Sequence, residues 1–284
     1  MKTIGITGYT GYVGGVLSTK LSADKNLTVK YFDQNAHSLL DPTTLTDFVR
    51  DCDTILHLAS IIRSNDPAVM NVNVMGTANL LSTIAQINQN CHFIFASSFD
   101  VYKPSNVKEL IDEAYEKTPR SLYGLSKLMA EEVVSFYAIE KNIKSTVLRL
   151  TNIFGPSPNK SSSIVALILD RIEHDTELTI HSDGSQTRDY VYIDDVANAF
   201  LSAITTKQKE NLRMINICSG VEVSIIDLVH KIEKLVDKKA KIKFDPAVDG
   251  GGYRCGNNMF AKNVLNWSPS VTFDKGLERL VKSL

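Results

Sequence analysis

The sequence predicts an α/β protein: a doubly wound parallel sheet with a smaller mixed α/β lobe attached. Short β-branched runs alternate with longer amphipathic stretches through the first half, the mark of repeated βαβ units. A glycine-punctuated turn follows the first run and opens the first helical stretch. At 284 residues the chain exceeds one ordinary core and falls short of two full domains, so one large domain with a smaller lobe is expected.

Taken in order, strands are expected at Thr3–Thr7, Thr28–Asp33, Thr54–Leu58, His92–Ser97 and Ser145–Leu150, with a late one at Met214–Cys218. Each is short and rich in β-branched or aromatic residues. Helical patterns lie near Tyr12–Ser22, Leu45–Arg50, Val72–Asn88, Leu122–Lys141 and Ile193–Thr205. After about Leu150 the texture changes, and Gly155 to Ser163 reads as a turn-rich loop. No internal repeat or low-complexity tract interrupts the pattern.

The composition is 43% hydrophobic and 22% charged, with a net charge of −1, which fits a globular enzyme and leaves no basic footprint for nucleic acid. Cys52, Cys91, Cys218 and Cys255 are scattered, with no C-x-x-C pair and no histidine cluster, so no metal site is expected and the thiols read as reduced and structural. Met1 leads straight into Ile4-Gly5-Ile6-Thr7-Gly8 with no signal-peptide organisation. No apolar run approaches the roughly 20 residues that span a bilayer. A cytoplasmic protein without membrane or nucleic-acid partners is expected.

Thr7-Gly8-Tyr9-Thr10-Gly11-Tyr12-Val13-Gly14 follows a strand and opens a helix. Glycines there permit a tight turn and let backbone N–H groups approach a pyrophosphate at the helix N-terminus. Gly8, Thr10, Gly11, Tyr12, Val13 and Gly14 are therefore candidate dinucleotide ligands, in a Rossmann-like fold whose spacing is G-x-x-G-x-x-G. Asp33, nineteen positions after Gly14, reads either as an acceptor for adenosine ribose hydroxyls or as a solvated strand-end residue. As a ribose ligand it would repel a ribose phosphate, so NAD(H) is favoured; Lys30 and its neighbours leave NADP(H) open. The dinucleotide-binding domain is expected at 1–155, with a return at 187–220, and residues 156–284 are expected to form mainly the substrate-binding lobe.

Tyr123 and Lys127 stand at i and i+4, on one face of a helix. A lysine cation and a bound nicotinamide would pull a phenol from its usual value of about 10 toward working pH, which suits acid–base chemistry. The pattern also fits an ordinary exposed helical face. Ser98, at the end of the strand Phe93-Ile94-Phe95-Ala96-Ser97, is placed where doubly wound sheets bind ligands and could share a substrate oxygen with Tyr123, or simply form the turn.

These features, with His57-Leu58-Ala59-Ser60, Asn73-Val74-Met75-Gly76-Thr77, Val101-Tyr102, Arg149-Leu150-Thr151-Asn152-Ile153-Phe154-Gly155-Pro156 and Arg188-Asp189-Tyr190-Val191-Tyr192-Ile193-Asp194-Asp195, closely resemble the extended short-chain dehydrogenase/reductase family, its NAD-dependent epimerase/dehydratase group acting on nucleotide-sugars. The resemblance covers nearly the whole chain. It implies a catalytic set of Ser98, Tyr123 and Lys127, with Lys127 also holding the nicotinamide ribose. It further implies cofactor contacts from Leu58 and Ala59, ordering of the lysine by Asn73, and an approach of Asp41 to the adenine from a short third strand at Leu39-Leu40-Asp41. Asn152 would contact the nucleotide-sugar and Arg188 its diphosphate, although Arg188 also reads as an ion pair with Asp189 or Asp194. A homodimer through the Tyr123 helix is implied too; Leu128, Val133, Val134 and Phe136 either serve it or face the core. Asp194 and Asp195 read as caps of the helix that follows.

Two departures narrow the reaction. Dehydratase relatives carry Asp then Glu after the catalytic hydroxyl, and here Phe99 and Asp100 stand there. A phenyl ring cannot protonate a leaving hydroxyl. Where relatives carry an Arg-Pro-Gly-Asp stretch, this chain has Asp245-Pro246-Ala247-Val248-Asp249-Gly250-Gly251-Gly252, with Arg254 beyond it as a candidate substitute. Hydride transfer on a nucleotide-linked sugar remains: reduction of a 4-keto-6-deoxyhexose, with 4-epimerisation on a retained NAD as the alternative and a non-catalytic dinucleotide sensor as a remote one.

Overall fold

From the amino end the chain forms β1 (Lys2–Thr7), α1 (Tyr12–Ser22), β2 (Leu27–Tyr31), α2 (Thr46–Val49), β3 (Thr54–His57), α3 (Ala68–Met70), α4 (Gly76–Ile87), β4 (His92–Ser98), β5 (Leu110–Ile111), α5 (Leu122–Glu140) and β6 (Ser145–Leu150). There follow β7 (Asn152–Phe154), α6 (Ile164–Glu173), β8 (Glu177–His181), β9 (Thr187–Tyr192), α7 (Ile193–Thr205), β10 (Leu212–Ile217), β11 (Glu222–Ser224), α8 (Ile225–Val236), β12 (Lys241–Asp245), β13 (Cys255–Gly256), α9 (Met259–Leu265) and α10 (Phe273–Lys282). The computed structural model describes residues 1–62, 66–156 and 163–283. Most of the expected turn-rich loop, residues 157–162, lies outside them.

Contacts divide the chain into two compact units. The first comprises Met1–Lys103, Tyr115–Leu150 and Ala197–Ile215, and the second comprises Pro104–Ala114, Thr151–Val196 and Asn216–Leu284. In the first, the strands order β10-β6-β4-β3-β1-β2. The pairs from β2 through β6 are parallel, with His57 opposite Phe95 and Ser97 opposite Arg149. Strands β3 and β6 are buried along their whole length, as in a sheet covered on both faces, which is why they read as apolar runs without alternation. Ile55, Phe93, Phe95 and Val147 pack with Phe48, Leu80, Leu81, Ile84 and Val134 in the core cluster.

The helix expected over Val72–Asn88 is interrupted. A π-helical turn, Asn71–Met75, joins α3 to α4, and it carries Asn73. Apolar periodicity does not register one extra residue in a turn, so this feature was invisible in the sequence. Helix α5 begins as its sequence predicts, with the Ser121 hydroxyl accepting from the Gly124 N–H at 2.9 Å.

The second unit holds the sheet β11-β9-β7 and the two-stranded pairs β12-β8 and β13-β5. An aromatic cluster of Phe154, Tyr190, Tyr192 and Phe273 lies within it. Gly276 is required beneath that cluster, since a Cβ there would lie 2.6 Å from the Phe154 ring. Asp195 does not cap α7 with its carboxylate. That group is buried and accepts from Ser270 Oγ at 2.6 Å and the Val271 N–H at 2.9 Å, while its carbonyl accepts from Trp267 Nε1, so it fixes the segment leading into α10.

All four cysteines are free and buried. Burial pushes Cys52 up to about 11 and Cys255 up to about 12, and it also raises Cys91 and Cys218 well above the ordinary thiol value. Among the described residues no helix is long and apolar enough to cross a membrane, and no cluster of ligating side chains could hold a metal ion.

Leu80 is fully buried in the core cluster, whereas Leu40 is 49% exposed. Leu80→Ala is expected to destabilise the first unit by about 2–5 kcal/mol. Leu40→Ala should stay within about 0.5 kcal/mol of the parent. Chemical unfolding followed by circular dichroism measures both.

Candidate active site

The glycine turn is built by close backbone approach. Gly8 adopts φ +71°, and a Cβ on it would lie 2.7 Å from the Ala59 nitrogen, so the turn rests directly on the segment Leu58–Ala59 that leaves β3. A Cβ on Gly14 would lie 2.2 Å from the Gly8 carbonyl oxygen. Gly11 serves as N-cap of α1 without a side-chain cap, and no acidic residue stands in the first turn. Tyr12 and Val13 begin the helix and Thr10 is exposed beside it. The helix thus presents its first N–H groups and positive dipole end to an incoming anion.

Asp33 lies just beyond β2 and is exposed; its Oδ1 accepts from the Asn35 N–H and Nδ2 at 2.9 and 3.0 Å. Lys30 is tied to the Asp47 carbonyl. The Leu39-Leu40-Asp41 segment forms no strand. It makes an isolated bridge between Ser38 and Asp41, and the Asp41 carboxylate caps the 3-10 turn Pro42–Thr44.

Ser98, Tyr123 and Lys127 are brought together. The Ser98 hydroxyl accepts from the Asp100 N–H at 3.1 Å, capping the turn Phe99–Val101, and also hydrogen-bonds the Tyr123 phenol. It is therefore both the turn former and the partner of the tyrosine. Gly124 permits this approach, because a Cβ on it would lie 2.4 Å from the Asp100 carbonyl oxygen. Lys127 is 2% exposed; its Nζ donates to the Ala96 carbonyl at 2.8 Å and stands 4.8 Å from the Phe95 ring centre and 5.8 Å from that of Tyr123. Phe99 is buried and packs edge-on against Tyr102 at 4.8 Å.

Burial and the Asp100 carboxylate push the Tyr123 phenol well above its ordinary value, against the lowering effect of the Ser98 hydrogen bond. Lys127 does not offset this. Burial pulls its own ammonium down to about 7, against the raising pull of Glu131. A buried lysine that is readily neutral is a weak source of field.

Behind these groups runs a buried chain of hydrogen bonds. The Thr7 hydroxyl accepts from the Leu58 and Ala59 N–H groups, both at 3.2 Å, which leaves its proton for His57 Nδ1 at 2.7 Å. His57 Nε2 then meets Thr77 Oγ1 at 3.0 Å, and that hydroxyl donates to the Asn73 carbonyl at 2.7 Å. Burial and the Lys127 charge hold His57 neutral, pushing it down to about 3. Asn73 Nδ2 donates to Ser126 Oγ at 2.9 Å and to the Ile61 carbonyl at 3.0 Å, while its Oδ1 accepts from the Ile61 N–H at 2.8 Å. Asn73 thus orders Ser126, the residue beside Lys127, and the loop after β3, and its side chain bonds Ser126 and Ile61 rather than the lysine itself.

In the second unit, Asn152 is exposed on β7 and its Nδ2 donates to the Asp189 carbonyl at 3.2 Å. Arg188 NH1 donates to the carbonyls of Thr187 and Gly252, and NH2 to that of Gly250, so the guanidinium clamps the triple-glycine loop. Arg254 is half-buried just before β13. Asp189 is a buried acceptor for the N–H groups of Ser219, Gly220 and Gly256 and the hydroxyls of Ser219 and Thr151. Gln186 Oε1 and the Tyr190 hydroxyl, two residues either side of Arg188, are buried and have no hydrogen-bond partner among the described residues. Sequence reasoning missed them, and it also missed the fully buried pair Glu131–Arg149. Glu131 was readable: it lies at i+4 from Lys127, on the face that already carries Tyr123.

A sequence model of the NAD dependent epimerase/dehydratase family matches residues 4–218. The chain is 28% identical to the dTDP-4-dehydro-6-deoxyglucose reductase of Escherichia coli, over 98% of this chain and 96% of that protein. It is 29% identical to a putative UDP-glucose 4-epimerase of Methanocaldococcus jannaschii, over 82% of this chain and 77% of the other. The fold superposes with a TM-score of 0.89 on UDP-glucuronic acid 4-epimerase from Bacillus cereus in complex with UDP-glucuronic acid and NAD, which is 26% identical and matched over 99% of this chain and 98% of that one.

The Lys127 value sets a pH signature. Its folded value of about 7 lies below the ordinary 10.5, so between these limits the unfolded chain binds the extra proton and stability rises with pH. The stability of the parent relative to Lys127→Met is therefore expected to fall as pH drops from about 10.5 to about 7, and to stay level below that. Urea midpoints of the two proteins across this range measure it.

Proposed function

The chain belongs to the NAD-dependent epimerase/dehydratase family, and from that premise we propose that it transfers hydride between NAD(H) and a nucleotide-linked sugar, in the direction that reduces a 4-keto-6-deoxyhexose. The observation that carries this reading is the Tyr123 phenol, held protonated beside Ser98 at the edge of the sheet. A phenol kept in its acid form is suited to give a proton to a ketone oxygen, and that proton transfer accompanies reduction. The full-length likeness to the E. coli reductase supports the same direction.

The residues present fit the dinucleotide. Gly8, Gly11 and Gly14 leave the space that a Cβ would fill, the α1 N-terminus would meet an anion, and Lys127 Nζ keeps N–H donors beyond the one given to Ala96 for ribose hydroxyls. Asp33 would accept from the adenosine ribose, and with Lys30 committed to Asp47 the carboxylate would favour NAD(H) over NADP(H). Bound there, the cofactor supplies the hydride and, when oxidised, a positive charge. Ser98 would hold the sugar oxygen while Tyr123 delivers or receives its proton. Phe99 has no proton to give a leaving hydroxyl, so dehydration is set aside. Asn152 and Arg188 would hold the nucleotide-sugar, Arg188 exchanging loop carbonyls for phosphate oxygens, with Arg254 as a further cation. Residues 1–155, with the return at 187–220, are read as the dinucleotide-binding part and the rest of 156–284 as the substrate-binding part.

The second reading, 4-epimerisation with retained NAD, rests on the likeness to the M. jannaschii and B. cereus proteins. Absorbance at the NADH band separates the two. Stoichiometric NADH oxidation with a nucleotide-linked 4-keto-6-deoxyhexose is expected; interconversion of UDP-hexoses without net cofactor change would replace the reductase reading. Tyr123→Phe should lower kcat by about 10²–10⁴-fold while NADH binding, followed by fluorescence, persists. Unchanged turnover would remove Tyr123 from the chemistry.

We also propose a homodimer through α5. Val134 faces the core and Val133 packs against it, whereas Leu125, Met129, Phe136 and Ile139 are 40–62% exposed along the helix. The parent is expected at dimer mass by light scattering, and Phe136→Glu with Ile139→Glu at monomer mass.

A further inference from the structure

Glu131 lies one helical turn beyond Lys127 on α5, the spacing at which a glutamate and a lysine ordinarily pair. They do not pair here. Lys127 Nζ donates to the Ala96 carbonyl at 2.8 Å. Both Glu131 oxygens are taken elsewhere: Oε1 accepts from Ser97 Oγ at 2.6 Å and Arg149 Nε at 2.9 Å, and Oε2 accepts from Arg149 NH2 at 2.8 Å. Arg149 also donates to the Tyr102 hydroxyl at 2.6 Å, and the side chains of Arg149 and Glu131 are both 0% exposed. A buried ion pair of this kind adds little to stability beyond apolar residues of the same volume, so its placement one turn from the lysine calls for another role.

We propose that Arg149 is a positioning residue for the proton-transfer centre: by occupying both oxygens of Glu131 it keeps that carboxylate from drawing the Lys127 ammonium down the helix, away from Tyr123 and Ala96. The inference rests on the reading of Tyr123 and Lys127 as the reacting centre. The register supplies the interception, because β6 sets Arg149 directly beside Ser97 of β4, and these two are the groups that reach Glu131. Among the described residues, other influences on the lysine are few. The ionisable side chains that face it among those residues are Tyr123 and Glu131 on α5 and the neutral His57 on β3, with Asp100 beside Tyr123. Helices α3 and α4 and the π-helical turn between them, which pack on α5, contain no Asp, Glu, Lys, Arg or His.

The test compares Arg149→Met with the double variant Arg149→Met/Glu131→Leu, using the NADH assay over pH and circular dichroism to establish folding. The single variant leaves a carboxylate whose available partner is Lys127. It is expected to lose about 100-fold in kcat, and the pH limb of activity governed by the Tyr123–Lys127 pair should move upward. The double variant removes both charges and should recover to within about 10-fold of the parent, with the parent's pH limb. Two results would overturn the proposal: equal losses in both folded variants, which would mean packing alone, or parent-like behaviour of the single variant, which would mean that Glu131 takes up a proton when unpaired. If Arg149→Met does not fold, the double variant decides alone, since a folded double that is inactive or shifted in pH also overturns it. Tyr123→Phe run alongside keeps the premise separate: turnover by that variant would defeat the reading of the centre, whereas a silent Tyr123→Phe with an unaffected Arg149→Met defeats the interception only.

Discussion

The parallel register of β3, β4 and β6 is the constraint on which the rest of the first unit depends. It stacks Ile55, Phe93, Phe95 and Val147 on the sheet face that α4 and α5 cover, then turns that face polar at the carboxyl edge with His57, Ser97 and Arg149. The covering helices follow the same gradient. Ala130 and Val134 meet the apolar part, while Thr77, Lys127 and Glu131 meet the polar part. A slip of one residue in β4 would turn Ser97 and Phe95 to the other face and leave a glutamate and an arginine buried without their third partner.

Because the polar edge is buried, every group in it is committed to a partner, and local geometry transmits from one to the next. Thr7 joins the glycine turn to His57, Thr77 joins His57 to the π-helical turn, and Asn73 joins that turn to Ser126 on the helix of Tyr123 and Lys127. The glycine turn and the helix of Tyr123 and Lys127 are thus seated on one hydrogen-bonded framework. Such networks, when fully satisfied, fix a single arrangement of a core more firmly than apolar contacts do.

Much of this was legible in the sequence, for physical reasons. Strands such as Ser145–Leu150 and the helix Ile193–Thr205 stand where periodicity and β-branching put them. Ser98, Tyr123 and Lys127 stand close together, a nearness that helical spacing and a strand end only hinted at and that the family resemblance implied. Less visible were features created by the tertiary structure: the π-helical turn at Asn73, the loss of a strand at Leu39–Asp41, and the use of Asp195 to hold Ser270 and Val271. Arg149 was quoted within a motif yet assigned no role, since its partner lies 18 positions away on another element. The second half yielded least, because its short strands pair across long separations, as β13 does with β5.

The four thiols carry a last consequence. Each is buried and raised well above the pH at which alkylating reagents act, so in the folded chain none is a competent nucleophile. Cys52 and Cys91 belong to the first unit, and Cys218 and Cys255 to the second. The protein therefore contains its own pair of clocks: the order in which the two pairs become labelled under mild denaturant reports which unit opens first, without any introduced probe.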